Sequence, residues 1–227
     1  MKISEIFYSV QGEGSLLGVP SVFVRTSGCN LRCSWCDTPY TSWRPEGDTL
    51  STTEVLDSVF RYRCRHVVVT GGEPMIVPEM PAFTEALREQ GLHITIETAG
   101  TVDAPVACDL MSISPKLFNS VPYEIENGRW AARHDKLRLQ PDVLKRLTDR
   151  YTFQLKFVVT APEDLSEIED IVSITGVPAS RVILMPEGTE ARGLAERSRW
   201  IVEICKERGY RFSPRLHIDL WGQRRGV

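Results

Sequence analysis

Three cysteines, Cys29, Cys33 and Cys36, fall within eight residues in the pattern C-x3-C-x2-C, Cys29-Asn30-Leu31-Arg32-Cys33-Ser34-Trp35-Cys36. Thiolates crowded into one short loop suit an iron–sulfur cluster, whose usual protein ligand is cysteine sulfur. Held by three cysteines, a four-iron cluster keeps one iron free of protein and open to a small chelating molecule. A zinc site would ask for four ligands, commonly two pairs of Cys or His. The nearest further candidates, Cys64 and His66, flank an expected buried strand. A disulfide reading would suit a secreted chain, but the sequence shows no signal peptide and no apolar run long enough to span a membrane. The cluster is the preferred reading. Cys64, Cys108 and Cys205 read as small apolar residues in or near the core.

At 227 residues with 42% hydrophobic content the chain can bury one good core, so a single domain over residues 1–227 is expected. A net charge of −3 and a pI near 5.9 offer no electrostatic footprint for nucleic acid or an anionic membrane. No internal repeat or low-complexity segment is present. A reduced, cytoplasmic protein is the expectation.

Strand-like and helix-like segments alternate, which predicts an α/β fold with a largely parallel sheet. Strands are expected at Val22 to Thr26, Val67 to Thr70, Ile94 to Glu97, Leu110 to Ser114, Phe153 to Val159, Val182 to Met185, and Leu216 to Trp221. Ser51-x-x-Glu54 reads as a capping box ahead of Val55, Leu56, Val59 and Phe60. Met80, Phe83 and Leu87 recur at helical spacing, with Gly91 placed to end that helix. Two more stripes run through Leu165, Ile168, Ile171 and Val172, and through Leu194, Ser198, Ile201, Val202 and Cys205. Six or seven β/α units are fewer than the eight of a closed barrel, so the pattern allows a partial barrel or an open doubly wound sheet.

In both architectures ligands gather beyond the carboxyl ends of the strands. The unusual residues do sit just after expected strands. Gly71-Gly72-Glu73-Pro74 follows the Val67 strand: glycines permit close backbone approach, and a carboxylate can accept from an ammonium group. The bland reading is a tight turn closed by proline. Glu97-Thr98-Ala99-Gly100-Thr101, Ser112-Ile113-Ser114-Pro115-Lys116 and Leu184-Met185-Pro186-Glu187-Gly188 end three further strands. No Ser/His/Asp-type catalytic constellation is evident.

The cysteine loop, the following Asp37 and Thr38, the opening Ser9-Val10-Gln11-Gly12-Glu13-Gly14 and Phe23-Val24-Arg25-Thr26-Ser27-Gly28 together resemble the radical SAM superfamily. Within it they resemble the 7-carboxy-7-deazaguanine synthases of 7-deazapurine (queuosine) biosynthesis. The resemblance runs from Ile3 to the C-terminus and is weaker between Phe118 and Arg150. It implies a partial, open (β/α) barrel of about six β/α units and a 4Fe-4S cluster on Cys29, Cys33 and Cys36. It implies S-adenosylmethionine (SAM) against Trp35, Cys36, Asp37, Gly72, Glu73, Gly100, Ser114, Lys116, Met185, Pro186, Glu187 and Gly188. Trp35 would also keep water from the cluster. Thr38 would ligate Mg2+, a hard cation that keeps several waters; read blind, a threonine there is a turn or capping group.

Substrate contacts are implied at Val10, Gln11, Gly12, Arg25 and Thr98, with His217 and Val227 closing the pocket. Arg25, read alone, is either a structural ion pair or a bidentate carboxylate binder. The implied reaction is a carbon–nitrogen lyase step that contracts the ring of 6-carboxy-5,6,7,8-tetrahydropterin to 7-carboxy-7-deazaguanine with loss of ammonia, SAM being reformed each turnover. A reductant such as flavodoxin or ferredoxin and a homodimer are implied with it. Two other classes stay open: an activase that makes a glycyl radical on a partner protein, and a non-catalytic iron–sulfur electron carrier.

Overall fold

The computed structural model describes all 227 residues and contains one nine-stranded sheet. Strand β1 (Lys2–Val10) runs antiparallel to β2 (Pro20–Thr26), and the short β3 (Asp48–Thr49) pairs antiparallel on its other side. From β2 every neighbour is parallel: β4 (His66–Gly71), β5 (His93–Thr98), β6 (Leu110–Ile113), β7 (Phe153–Val159), β8 (Val182–Pro186) and β9 (Arg211–Phe212). The order is β3-β1-β2-β4-β5-β6-β7-β8-β9, and the outer strands β3 and β9 do not pair. Six crossovers between parallel strands, with an open seam, make the partial barrel that the resemblance implies.

The helices follow from their end signals. After the short α1 (Pro39–Ser42), α2 (Thr52–Phe60) starts on the expected capping box: Glu54 N donates to Ser51 Oγ at 3.3 Å, and Ser51 N to Glu54 Oε2 at 2.8 Å. Helix α3 (Met80–Glu89) stops where Gly91 turns to φ 68°. Its last carbonyls are closed by Gly91 N to Arg88 O and Leu92 N to Leu87 O, a Schellman arrangement. Between β6 and β7 lie α4 (Ala131–Arg138) and α5 (Pro141–Arg150); α6 (Asp164–Thr175) and α7 (Ala191–Arg208) carry the two later stripes. No helix crosses from β5 to β6. No helix is long and apolar enough to cross a membrane.

Alternation along the strands sorts the two faces of the sheet. Val22, Val24, Val67, Val69, Ile94, Ile96, Leu155 and Phe157 belong to the 31-residue core under the helices. Their neighbours on the other face are mixed: Phe23, Val68 and Val158 are apolar, and a polar row runs beside them. Across the sheet Arg25 pairs with Thr70, Glu97 with Ser112, and Ser112 with Gln154. Of that row Arg25, Thr70, Glu97 and Ser112 line the cavity at the strands' carboxyl ends.

One expected strand is corrected, and one long strand goes beyond the expectations. Leu216 to Trp221 is helix α8 (Leu216–Trp221), not a strand. Its start is tied by Arg215 and Leu216 N to Glu13, Gly188, Asp37 and Gly12 at the cavity, and the tail closes its hydrogen bonds locally: Ile218 N and Asp219 N donate to Arg215 O, and Gly222 N to Ile218 O. The Leu-x-Ile-x-Leu alternation imitates a strand, yet only Ile218 of the helix is buried. Strand β1 was not assigned from sequence at all. Replacing the fully buried Phe157 by Ala is expected to cost about 3–5 kcal/mol, whereas the exposed Trp221→Ala stays within about 0.5 kcal/mol. Urea unfolding of the cluster-free chain measures both.

Candidate active site

One cavity of about 490 Å³ opens over the carboxyl ends of the parallel strands, and Cys29, Cys33 and Cys36 all line it. Their loop, between β2 and α1, has no regular structure and is held from outside. Asn30 Nδ2 donates to Thr101 Oγ1 at 2.9 Å, Ser34 N to Ser120 O at 2.8 Å, Trp35 Nε1 to Asn119 Oδ1 at 3.1 Å, and Trp43 Nε1 to Cys33 O at 3.0 Å. Leu31, 1% exposed, packs with Cys33 and Ala99 beneath it. Burial pushes the Cys29 thiol up to about 12 and raises that of Cys33 as well, so loading iron must displace protons.

The three thiols fit a cluster better than a single ion. All three are free, and no group of three His, Cys, Asp or Glu side chains is placed to hold one metal ion. A tetrahedral zinc would draw its sulfurs to about 2.3 Å from a single point; a four-iron cluster binds each sulfur to a different corner.

His134, which sequence reasoning missed, anchors this loop from α4. Arg32 N donates to His134 Nδ1 at 3.0 Å, while Nε2 lies 2.9 Å from Ser120 Oγ. Ser120 spends its own proton on Leu117 O at 2.6 Å, so Nε2 is the protonated nitrogen and the ring is neutral. Burial holds its pKa down, to about 4.

The Gly71-Gly72-Glu73 turn is partly a packing device. A methyl group on Gly72 would collide with Gly28 O, and one on Gly71, at φ 129°, with Thr26 O. Both glycines line the cavity; Glu73 does not, being fully buried behind it. Its carboxylate accepts from Met75 N at 3.1 Å, Thr98 Oγ1 at 2.8 Å and Ala99 N at 2.8 Å, and burial, opposed by these bonds, raises its pKa. Gly100 and Pro186 also lie off the wall. A side chain on Gly100 would strike Leu144 and Ile113, so that glycine serves the core.

The other residues expected around SAM do meet in the cavity. Trp35, Asp37, Ser114, Lys116, Met185, Glu187 and Gly188 line it. Lys116 Nζ donates to Ser114 O at 2.8 Å and Ser114 Oγ at 2.9 Å, and stands 5.9 Å over the Trp35 ring. Thr38 faces the same space. Thr41 Oγ1 lies 2.9 Å from Thr38 O and 3.3 Å from Thr38 Oγ1, so its one proton goes to the carbonyl and the Thr38 hydroxyl keeps free lone pairs.

Val10, Gln11, Gly12, Arg25, Thr98, His217 and Val227 share the cavity as well. Gly12 leaves room for His217, whose ring a methyl group there would overlap. Burial lowers the His217 pKa. Gln11 Nε2 donates to Glu97 Oε1 at 3.1 Å, and Thr70 Oγ1 to Glu97 Oε2 at 2.7 Å. Arg25 Nε stands 3.6 Å from Glu5 Oε1 and is buried with no hydrogen-bond partner.

Glu13, Lys156 and Arg215 were not singled out from sequence, yet they form a buried charged knot in the wall. Lys156 Nζ and Arg215 Nε both bond Glu13, and Arg215 also bonds Asp37. Burial alone would raise the Glu13 pKa; the two cations hold it far below the usual carboxylate range. Lys156 could have been found from the alternation Phe153-Gln154-Leu155-Lys156-Phe157, which puts a lysine on the strand face opposite the core.

An open parallel sheet, a three-cysteine loop after its first parallel strand and one cavity at the strand ends define a radical SAM protein, and the Radical SAM superfamily model matches residues 23–154. Membership brings a 4Fe-4S cluster and SAM. The 7-carboxy-7-deazaguanine synthase of Halobacterium salinarum is 45% identical over 97% of this chain and 90% of its own length. That of Rhodopirellula baltica is 44% identical over 99% and 88%. The crystal structure of QueE from Escherichia coli superposes with a TM-score of 0.71 at 25% identity, covering 95% of this chain and 94% of that one. The chain belongs to the 7-carboxy-7-deazaguanine synthase family.

Because the folded pKa of His134, about 4, lies below its ordinary 6.5, the unfolded chain takes up the proton first as pH falls. Its contribution to stability is complete above pH 6.5 and is lost between there and 4. Thermal melting of the cluster-free chain is expected to fall more steeply from pH 7 to pH 5 in the wild type than in His134→Gln.

Proposed function

We propose that this chain catalyses radical ring contraction of 6-carboxy-5,6,7,8-tetrahydropterin to 7-carboxy-7-deazaguanine with release of ammonia. The observation that carries the reading is that one cavity holds the three thiols together with a partly unpaired arginine and a row of polar strand residues. When bound, the cluster and SAM supply one-electron hydrogen-atom abstraction. The protein supplies position, dryness and charge.

Arg25 would receive the substrate carboxylate, since its buried Nε lacks a partner and a guanidinium matches a carboxylate bidentately. Gln11, Gly12 and Thr98 would offer polar edges to the pterin, with His217 and Val227 closing over it. Glu97, ordered by Gln11 and Thr70, adds an acceptor suited to the amino-bearing edge of a pterin. Cys29, Cys33 and Cys36 would hold the cluster, with Leu31 and Trp35 excluding water. Lys116, Ser114 and the Met185 to Gly188 turn would receive SAM. Glu73 and Gly100 would act on it from behind, by fixing the loops that touch it.

The rival classes, an activase of a partner protein and an electron carrier, are not favoured, because the relatives matched along nearly the whole chain are synthases. We further infer a single catalytic domain over residues 1–227, a flavodoxin- or ferredoxin-type reductant, a cytoplasmic location and a homodimer. For the dimer, support comes from the exposed aromatic residues Phe60, Tyr8 and Tyr62, the last two stacked at 5.9 Å.

The test is anaerobic incubation with SAM, a reductant and the carboxy-tetrahydropterin, followed by mass analysis. Product is expected from the wild type and none from Cys33→Ala. Arg25→Ala should cleave SAM slowly without product, and tetrahydropterin lacking the carboxylate should turn over at least about a hundredfold less efficiently. Comparable turnover of that analogue would overturn the substrate assignment.

Magnesium on Thr38 is the remaining part of the proposal, supported by the hydroxyl's free lone pairs at the cavity wall. After chelation, activity should depend on added Mg2+, and Thr38→Ala should weaken that dependence while SAM binding survives. Unchanged turnover of Thr38→Ala in metal-free buffer would make Thr38 an ordinary turn residue.

A further inference from the structure

Arg215 sits where three functional loops meet. It precedes α8, is 6% exposed, and uses each of its three guanidinium nitrogens on a different segment. Nε donates to Glu13 Oε1 at 3.2 Å, in the loop after β1 that begins with Gln11 and Gly12. Nη1 donates to Gly188 O at 2.6 Å, in the turn after β8. Nη2 donates to Asp37 Oδ2, between Cys36 and Thr38 in the cysteine loop. Leu216 N adds a bond to Gly12 O at 3.0 Å, and Ser213 Oγ accepts from Gly14 N at 2.8 Å.

No hydrogen bond joins Glu13, Asp37 and Gly188 to one another directly; the shared partner is this side chain. Those segments carry, on the proposed reading, the substrate, the cluster and SAM. A planar fork with five donors can bond three acceptors at fixed angles, and a lysine ammonium cannot reproduce that geometry. The charges also balance: the carboxyl groups of Glu13 and Asp37 face the cations of Arg215 and Lys156.

We propose that Arg215 is a positioning residue that fixes the substrate loop, the cysteine loop and the β8 turn in one arrangement, so that hydrogen abstraction is directed at the substrate. The inference rests on the proposed function. Radical chemistry is sensitive to placement, since an error of about 1 Å can cost on the order of a hundredfold in rate. SAM is reformed in each productive turnover of that reaction, so 5′-deoxyadenosine accumulates only when abstraction fails. Loss of Arg215 is therefore expected to uncouple SAM cleavage from product formation.

The experiment compares wild type, Arg215→Lys and Arg215→Ala. Hydrogen exchange on the cluster-free chains reads the positioning without catalysis. The Gly14 and Leu216 amides should exchange faster in both variants, while the amides of α3 are unchanged. In cluster-loaded protein with wild-type iron content, Arg215→Lys should lower kcat at least about tenfold and raise 5′-deoxyadenosine per product about tenfold, with KM for SAM within about threefold. Wild-type coupling and kcat in Arg215→Lys would overturn the proposal. So would a fall in melting temperature and iron content with the coupling ratio unchanged, which marks a purely structural ion pair. If the wild type itself makes no product from the pterin, the substrate reading fails, and the exchange pattern still decides whether Arg215 joins the three loops.

Discussion

The two faces of the central sheet meet different physical demands, and the rest of the molecule follows from that division. Under the helices, Val22, Val24, Val67, Val69, Ile94 and Ile96 pack without polar partners. On the other face these strands and their neighbours β6 and β7 present Arg25, Thr70, Glu97, Ser112, Gln154 and Lys156, several of them shielded from water. Buried polar groups are costly unless bonded, and here they bond one another across strands: Thr70 to Glu97, Gln154 to Ser112, Lys156 to Glu13. The outer face holds the fold together, while the inner face keeps a set of oriented donors and acceptors around an enclosed space.

The cysteine loop shows how a segment with no secondary structure can still be rigid. Its backbone and side chains are tied to Thr101, Ser120, Asn119, His134 and Trp43, residues from as far as α4. Gly28 O accepts from Glu73 N at 2.9 Å, which locks the loop's start to the turn after β4. The glycines of that turn are required because the two backbones touch. Glu73 then reaches onward to Thr98 and Ala99. The ends of β2, β4 and β5 are thus joined through Glu73, by its backbone N–H to Gly28 and by a carboxylate that never reaches the cavity to Thr98 and Ala99.

Ionisation in the wall is arranged so that few charges remain unpaired. Glu13 and Asp37 are held deprotonated by Arg215, with Lys156 assisting at Glu13, while burial keeps His134 neutral and lowers the pKa of His217. Arg25 differs from these, with Glu5 at 3.6 Å and an orphaned Nε. Lys116, whose ammonium bonds only the neutral oxygens of Ser114, is a second cavity cation without a full carboxylate partner, and two such cations in one cavity suit ligands that carry carboxylates.

Local sequence determined the elements whose causes are local. The capping box at Ser51, the glycine stop at Gly91, the β-branched run at Val67 and the clustering of Cys29, Cys33 and Cys36 each act within a few residues, so their outcome is readable without a fold. Placement of chemistry-bearing residues just after strands was legible for the same reason, because parallel strands all end at one rim. Tertiary structure alone decided the rest. Whether Leu216 to Trp221 extends the sheet or turns into a helix depends on distant segments that hold its start, Arg215 with Glu13, Asp37 and Gly188 and Leu216 N with Gly12. Whether Glu73 and Gly100 face the cavity or the packing behind it depends on how closely neighbouring loops approach. Partners such as Glu13 with Arg215, or Arg32 with His134, lie 202 and 102 residues apart and carry no local signal of each other. Short-range sterics and hydrogen bonding are written into adjacent residues, whereas desolvation and charge pairing exist only once distant segments have closed on one another.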